Sequence, residues 1–145
     1  MSQVVLLGTV GSDVHSVANT LLEKALDDSG LKVHNLGVAV PEHEWLSVAT
    51  YLRPDLVLIG SMNGDLVPLH NVIRKLIEIM PAHRILIGGK LNLGSEGISN
   101  APFIKAMGVG VLQNDEVSFQ EIIGHCRLLL AEKNGFDFQR IQDAR

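Results

Sequence analysis

Residues 8–16 run Gly8-Thr9-Val10-Gly11-Ser12-Asp13-Val14-His15-Ser16, directly behind the apolar run Val4-Val5-Leu6-Leu7. A neutral imidazole is a common transition-metal ligand, and a carboxylate on its second ring nitrogen fixes the tautomer and raises its basicity. Asp13 and His15, two positions apart, could form such a pair, although a lone loop histidine is more often solvated and idle. Two further stretches have matching chemistry. Gly60-Ser61-Met62-Asn63-Gly64 offers a hydroxyl, an amide and pliant backbone, and Gly88-Gly89-Lys90-Leu91-Asn92-Leu93-Gly94 opens on a glycine pair. Consecutive glycines let a ligand approach the main chain with no Cβ in the way, but alone they could equally be a tight turn. The other histidines, His34, His43, His70, His83 and His125, form no i, i+4 pair and are expected to be solvated or packed. Cys126 is the only cysteine, which excludes a disulfide framework and any multi-thiolate metal site. It recurs with Ile122, Ile123 and Leu129 at helical spacing, so a buried reduced thiol is expected.

These groups matter only if the fold brings them together. Short, β-branched apolar runs at 4–7, 31–36, 56–59, 85–87 and 109–112 have the composition of parallel strands buried on both faces. Between them lie segments of helical period. Val17, Leu21, Leu22, Ala25 and Leu26 mark the first, closed near Gly30. Trp45, Val48, Ala49 and Leu52 mark the second, opened by Pro41, Glu42 and Glu44. Leu69, Val72, Ile73, Leu76 and Ile77 mark the third, stopped by Pro81. A short helix is expected after Pro102, and Phe119, Ile122, Ile123, Cys126, Leu129 and Leu130 mark the last.

Five strands alternating with helices predict an α/β fold. It is a flavodoxin-like, doubly wound, five-stranded parallel sheet of order 2-1-3-4-5 in three α/β/α layers. Ligands of such sheets bind outside the carboxyl ends of the strands, where the order reverses. The stretches at 8–16, 60–68 and 88–97 fall there together. At nine or ten residues each, they are longer than ordinary connections require.

The chain has 145 residues, 46% of them hydrophobic, enough for one domain with a substantial core and too apolar for disorder. Residues 1–133 are expected to form that domain, and the polar tail 134–145, with Phe136, Phe138 and Ile141, to pack back on it. A net charge of −4 with scattered Lys and Arg gives no basic face for nucleic acid or anionic lipid. No apolar run approaches the ~20 residues of a membrane span, and no basic leader precedes the first strand, so a cytoplasmic location is expected.

Taken together, Gly11-Ser12-Asp13-Val14-His15-Ser16-Val17-Ala18-Asn19, Ile87-Gly88-Gly89-Lys90-Leu91-Asn92-Leu93-Gly94 and Lys105-Ala106-Met107-Gly108 carry a resemblance. The chain resembles the cobalamin-binding domains of mutases and methyltransferases, and within them the small subunits of adenosylcobalamin-dependent glutamate mutase (methylaspartate mutase). The likeness extends from the first strand to the last helix. The family pattern is Asp-x-His-x-x-Gly, then Ser-x-Leu, then Gly-Gly. This sequence departs from it at Ala18, at Gly60, and after Leu112, where Gln113-Asn114-Asp115 replaces an expected Gly-Thr.

The resemblance implies an isomerase subunit that binds adenosylcobalamin, with His15 as lower axial cobalt ligand and Asp13 on its other ring nitrogen. It further implies Ser12, Val14 and Ser16 around the lower corrin face, and a slot for the displaced nucleotide arm lined by Gly60, Ser61, Met62 and residues 88–93. A larger, barrel-shaped, substrate-binding subunit would complete a hetero-oligomer converting L-glutamate to threo-3-methylaspartate. The alternative is a non-catalytic corrinoid carrier or sensor. Other users of the fold fit less well. A phosphoacceptor receiver needs an acidic cluster at the strand ends, a flavodoxin needs aromatic loops, and a dinucleotide binder needs GxGxxG.

Overall fold

The computed structural model of the chain describes residues 3–11, 16–60, 66–89, 92–93, 98–99, 101–113 and 119–134. Its elements alternate as the apolar runs do: β1 (Val4–Thr9), α1 (Ser16–Asp28), β2 (Lys32–Asn35), α2 (Glu42–Leu52), β3 (Leu56–Gly60) and α3 (Leu66–Leu76). A 3-10 turn at Ala82–Arg84 leads into β4 (Ile85–Gly89), then β5 (Asn92–Leu93), β6 (Ile98–Ser99), α4 (Ala101–Lys105), β7 (Gly110–Gln113) and α5 (Phe119–Asn134). Five strands form one sheet in the order β2-β1-β3-β4-β7, every pairing parallel. That is the predicted 2-1-3-4-5 order, because β7 is the fifth strand of the main sheet. The predicted tail 134–145 lies, apart from Asn134, outside the described residues.

Period-two alternation divides the strands between two cores. Leu6, Val57, Ile59, Ile85 and Ile87 face Trp45 and Ala49 of α2, Leu69, Val72, Ile73 and Leu76 of α3, and Ile104 of α4. Val5, Leu7, Leu56, Leu58 and Leu86 face Leu26 of α1 and Ile123, Cys126 and Leu130 of α5. These are the three expected layers, and truncating a leucine at such a position costs about 2–5 kcal/mol. The edge strand β2 differs from the expected doubly buried strand: Lys32 and His34 are exposed, and only Val33 and Asn35 turn inward.

Local chemistry explains most boundaries. Pro41 precedes α2, with Glu42 and Glu44 in its first turn. Gly30 closes α1 at φ +89, a left-handed conformation that glycine adopts without a Cβ penalty. Arg53 takes the same region at φ 51 after α2, its N–H reaching the Ala49 carbonyl. The acid that precedes β3 is structural: Asp55 accepts a 2.7 Å hydrogen bond from the Val4 N–H and joins the amino edges of β1 and β3. The antiparallel pair β5–β6 was not expected. No helix among the described residues is long and apolar enough to cross a membrane.

Candidate functional site

The strands run further than the apolar runs suggested. Gly8 lies inside β1, Gly60 ends β3, and Gly88 and Gly89 end β4. Four of the glycines read as loop are therefore held in a ladder at the carboxyl edge of the sheet. Register partners there form a row across four strands, Thr9, Gly60, Gly88 and Leu112. The row below it is Leu7, Leu58, Leu86 and Gly110. Leu7, Leu58 and Leu86 are buried under α1 and α5. One row higher on that same face, two adjacent strands have no side chain at all.

Of the two, Gly88 leaves the more space. A β-carbon on Gly88 would find nothing nearer than the Leu112 carbonyl oxygen at 3.9 Å. On Gly60 it would meet Thr9 Cγ2 at 3.2 Å, so the trough floor is narrowest beside β1. Helices α1 and α5 pack on this face of the sheet, and each follows a strand that ends at this edge. Helix N-termini present unsatisfied N–H groups and partial positive charge, which suits phosphate and other oxygen acceptors.

Polar side chains that sequence reasoning passed over hold the rim. Thr9, 6% exposed, accepts a hydrogen bond through Oγ1 from the Ala39 N–H at 2.9 Å. Its own N–H donates to the Gly37 carbonyl and its carbonyl accepts from the Val40 N–H. Ala39 is thereby kept at φ 50, a region uncommon for a residue with a side chain. Asn35, at the end of β2, donates through Nδ2 to Asn19 Oδ1 at 2.6 Å and Glu23 Oε1 at 3.2 Å, and accepts from the Gly37 N–H. The signal was present in the sequence: polar residues closing apolar strands, and one amide within the apolar stripe of α1. Cys126 is buried in α5, and burial pushes its thiol up to about 12.

The residues named from sequence fall as follows. Ser16 opens α1 and is exposed. Gly60 and Gly88 are brought side by side, Gly89 follows in β4, and Asn92 and Leu93 form β5. Ser12, Asp13, Val14, His15, Ser61, Met62, Lys90 and Leu91 lie outside the described residues. In sequence, Asp13 and His15 fall between Gly11, which follows β1, and Ser16, the first residue of α1. Ala18, where the family pattern has glycine, is exposed on α1, whereas its neighbour Asn19 is buried. The remaining histidines sit as expected: His34 in β2, His43 and His70 in helices, His83 in the 3-10 turn and His125 in α5. His70 stacks obliquely on Phe103, ring centroids 5.4 Å apart.

The B12 binding domain family matches residues 3–110. The glutamate mutase sigma subunit of Carboxydothermus hydrogenoformans is 36% identical over 106 residues, 71% of this chain and 77% of that relative. The sigma subunit of Halobacterium salinarum is 37% identical over 94 residues, 62% of this chain and 61% of that relative. A cobalamin-binding protein of Desulfitobacterium hafniense superposes with a TM-score of 0.70 over 88% of this chain and 59% of its own, at 17% identity, a likeness of fold. The chain belongs to the B12-binding domain family, among the relatives of the glutamate mutase sigma subunits.

Proposed function

We propose that this chain is the cobalamin-binding subunit of a cytoplasmic, adenosylcobalamin-dependent carbon-skeleton mutase that interconverts L-glutamate and threo-3-methylaspartate. The observation that carries the reading is the pair Gly60 and Gly88, side by side without side chains at the carboxyl edge of the sheet, the edge at which the strand preceding Asp13 and His15 in sequence also ends. A corrinoid's nucleotide arm needs such an opening at the sheet edge, and a β-carbon on either glycine would intrude on it. The residues present fit the group.

His15 would hold cobalt from below, and Asp13 would fix its tautomer by accepting from the other ring nitrogen. Ser12, Val14 and Ser16 would flank the lower face of the ring. Gly60, Ser61, Met62, Gly88, Gly89, Lys90, Leu91, Asn92 and Leu93 would line the arm's slot. When bound, the cofactor supplies a homolysable cobalt–carbon bond, and hence the radical chemistry of the rearrangement. The chain's own work is to orient, hold and exclude water. A larger, barrel-shaped partner subunit would cover the upper face and bind substrate.

Visible spectra test this directly. Mixed with adenosylcobalamin and desalted, the chain should retain colour and show a base-off, histidine-coordinated spectrum. His15→Ala should lose that signature, and with the partner subunit it should lose mutase activity. Activity undiminished by His15→Ala would defeat the assignment. Colour retained without turnover beside the partner would favour a carrier or sensor.

A further inference from the structure

Asn19 has a buried donor that no described residue answers. It is 8% exposed, and among the described residues its Nδ2 has no hydrogen-bond partner. Amide orientation is ordinarily ambiguous, but here chemistry fixes it. The Gly37 N–H can only donate, so Asn35 must turn Oδ1 toward it, at 2.9 Å. That leaves Asn35 Nδ2 facing Asn19, which must answer with its oxygen, at 2.6 Å. Glu23 Oε1, accepting from the same Nδ2 at 3.2 Å, locks the arrangement further. Asn19 Nδ2 is thereby turned away from Asn35, and no acceptor among the described residues satisfies it. Buried polar groups are overwhelmingly paired, so one held in an unpaired orientation by three neighbours points to an absent acceptor.

Its position says where that acceptor comes from. Leu22, Ala25 and Leu26 lay α1 against the Val5 and Leu7 face of the sheet. Asn19 lies one turn nearer the carboxyl edge, tied to Asn35, the register partner of Leu7. The next row on that face is Thr9, Gly60, Gly88 and Leu112, the trough itself. Trp45 Nε1 is also buried and unpaired, but it belongs to the opposite core, behind Gly8. The two glycines and the idle amide are thus independent features of one face.

We infer that Asn19 is a specificity residue, whose Nδ2 donates a hydrogen bond to an oxygen of the nucleotide arm when a corrinoid enters the trough. This inference rests on the corrinoid reading above. Asn35 and Glu23 act on Asn19 as positioning residues, keeping nitrogen rather than oxygen toward the ligand. Specificity follows, because a site built to donate one hydrogen bond discriminates against a ligand that lacks the acceptor.

The test compares cobalamin with cobinamide, a corrinoid without the nucleotide arm, by absorbance titration of the purified chain. Asn19→Asp keeps the oxygen that Asn35 binds and replaces the donor with an acceptor. Asn19→Ala removes the donor without adding charge and guards against misfolding of the first variant. Both should weaken cobalamin binding by about fivefold, the usual worth of one such bond, and leave cobinamide affinity unchanged. Equal losses for the two corrinoids, or cobalamin affinity unchanged in both variants, would overturn the inference. A parent chain that retains neither corrinoid would defeat the corrinoid reading and this inference with it. Retention by the parent with no change in the variants defeats this one alone.

Discussion

Gly8 and Trp45 compete for the same space: a β-carbon on Gly8 would lie 2.9 Å from Cζ2 of the indole and 3.3 Å from Cβ of Leu36. Trp45 is fully buried, and its ring fills the room that this glycine leaves in β1. The glycine that opens the first candidate loop thus serves packing on the α2 face rather than a ligand.

Gly8→Ala is therefore expected to destabilise the fold by about 1–3 kcal/mol, the usual range for a methyl forced into a filled core. Trp45 is the chain's only tryptophan, so denaturant unfolding followed by its fluorescence reads the change at the site of the clash. An unchanged midpoint would show that the indole has room to move.

Gly88→Ala is expected to behave in the opposite way. Its new methyl meets only the Leu112 carbonyl oxygen, at ordinary contact distance, so unfolding should be unaffected. The methyl would stand in the trough, and cobalamin affinity should fall by roughly tenfold, about 1.4 kcal/mol. Parallel unfolding and absorbance titrations separate the two effects, and a loss of stability equal to that of Gly8→Ala would contradict an open trough.

Cys126 predicts an alkaline signature. Desolvation raises its thiol from 9.0 to about 12 in the folded chain, while the unfolded thiol ionises near 9. Its contribution to stability is complete below pH 9 and is lost progressively as pH rises through 9 toward 12, because only the unfolded state releases the proton. Cys126→Ala should flatten that decline relative to the parent chain when unfolding midpoints are compared across the range. A thiol reagent at neutral pH should label Cys126 only as the protein unfolds.

Much of this molecule was legible in residue order. Alternation of β-branched runs with helical stripes fixes a parallel sheet, since short runs buried on both faces need helices on each side. Pro41 with Glu42 and Glu44, and Gly30, mark helix ends through effects within one turn of chain, and each is found where expected. Asp13, His15 and the glycine pair at 88–89 were visible as types and spacings.

What the sequence could not show depends on register and on how a helix lies across a sheet. Gly60 and Gly88 are 28 positions apart, and only the pairing of β3 with β4 sets them side by side. The strand ends were misread because a glycine looks like loop, although main-chain hydrogen bonding holds Gly8, Gly60 and Gly88 in the ladder. Asn19 and Asn35 meet across 16 positions, and the idle nitrogen follows from a backbone N–H at Gly37 two residues beyond Asn35. Local propensity acts over a few residues, so it specifies the elements. Hydrogen bonds and contacts between elements exist only once the chain has packed, and they decide which glycine accommodates a tryptophan and which leaves room for a ligand.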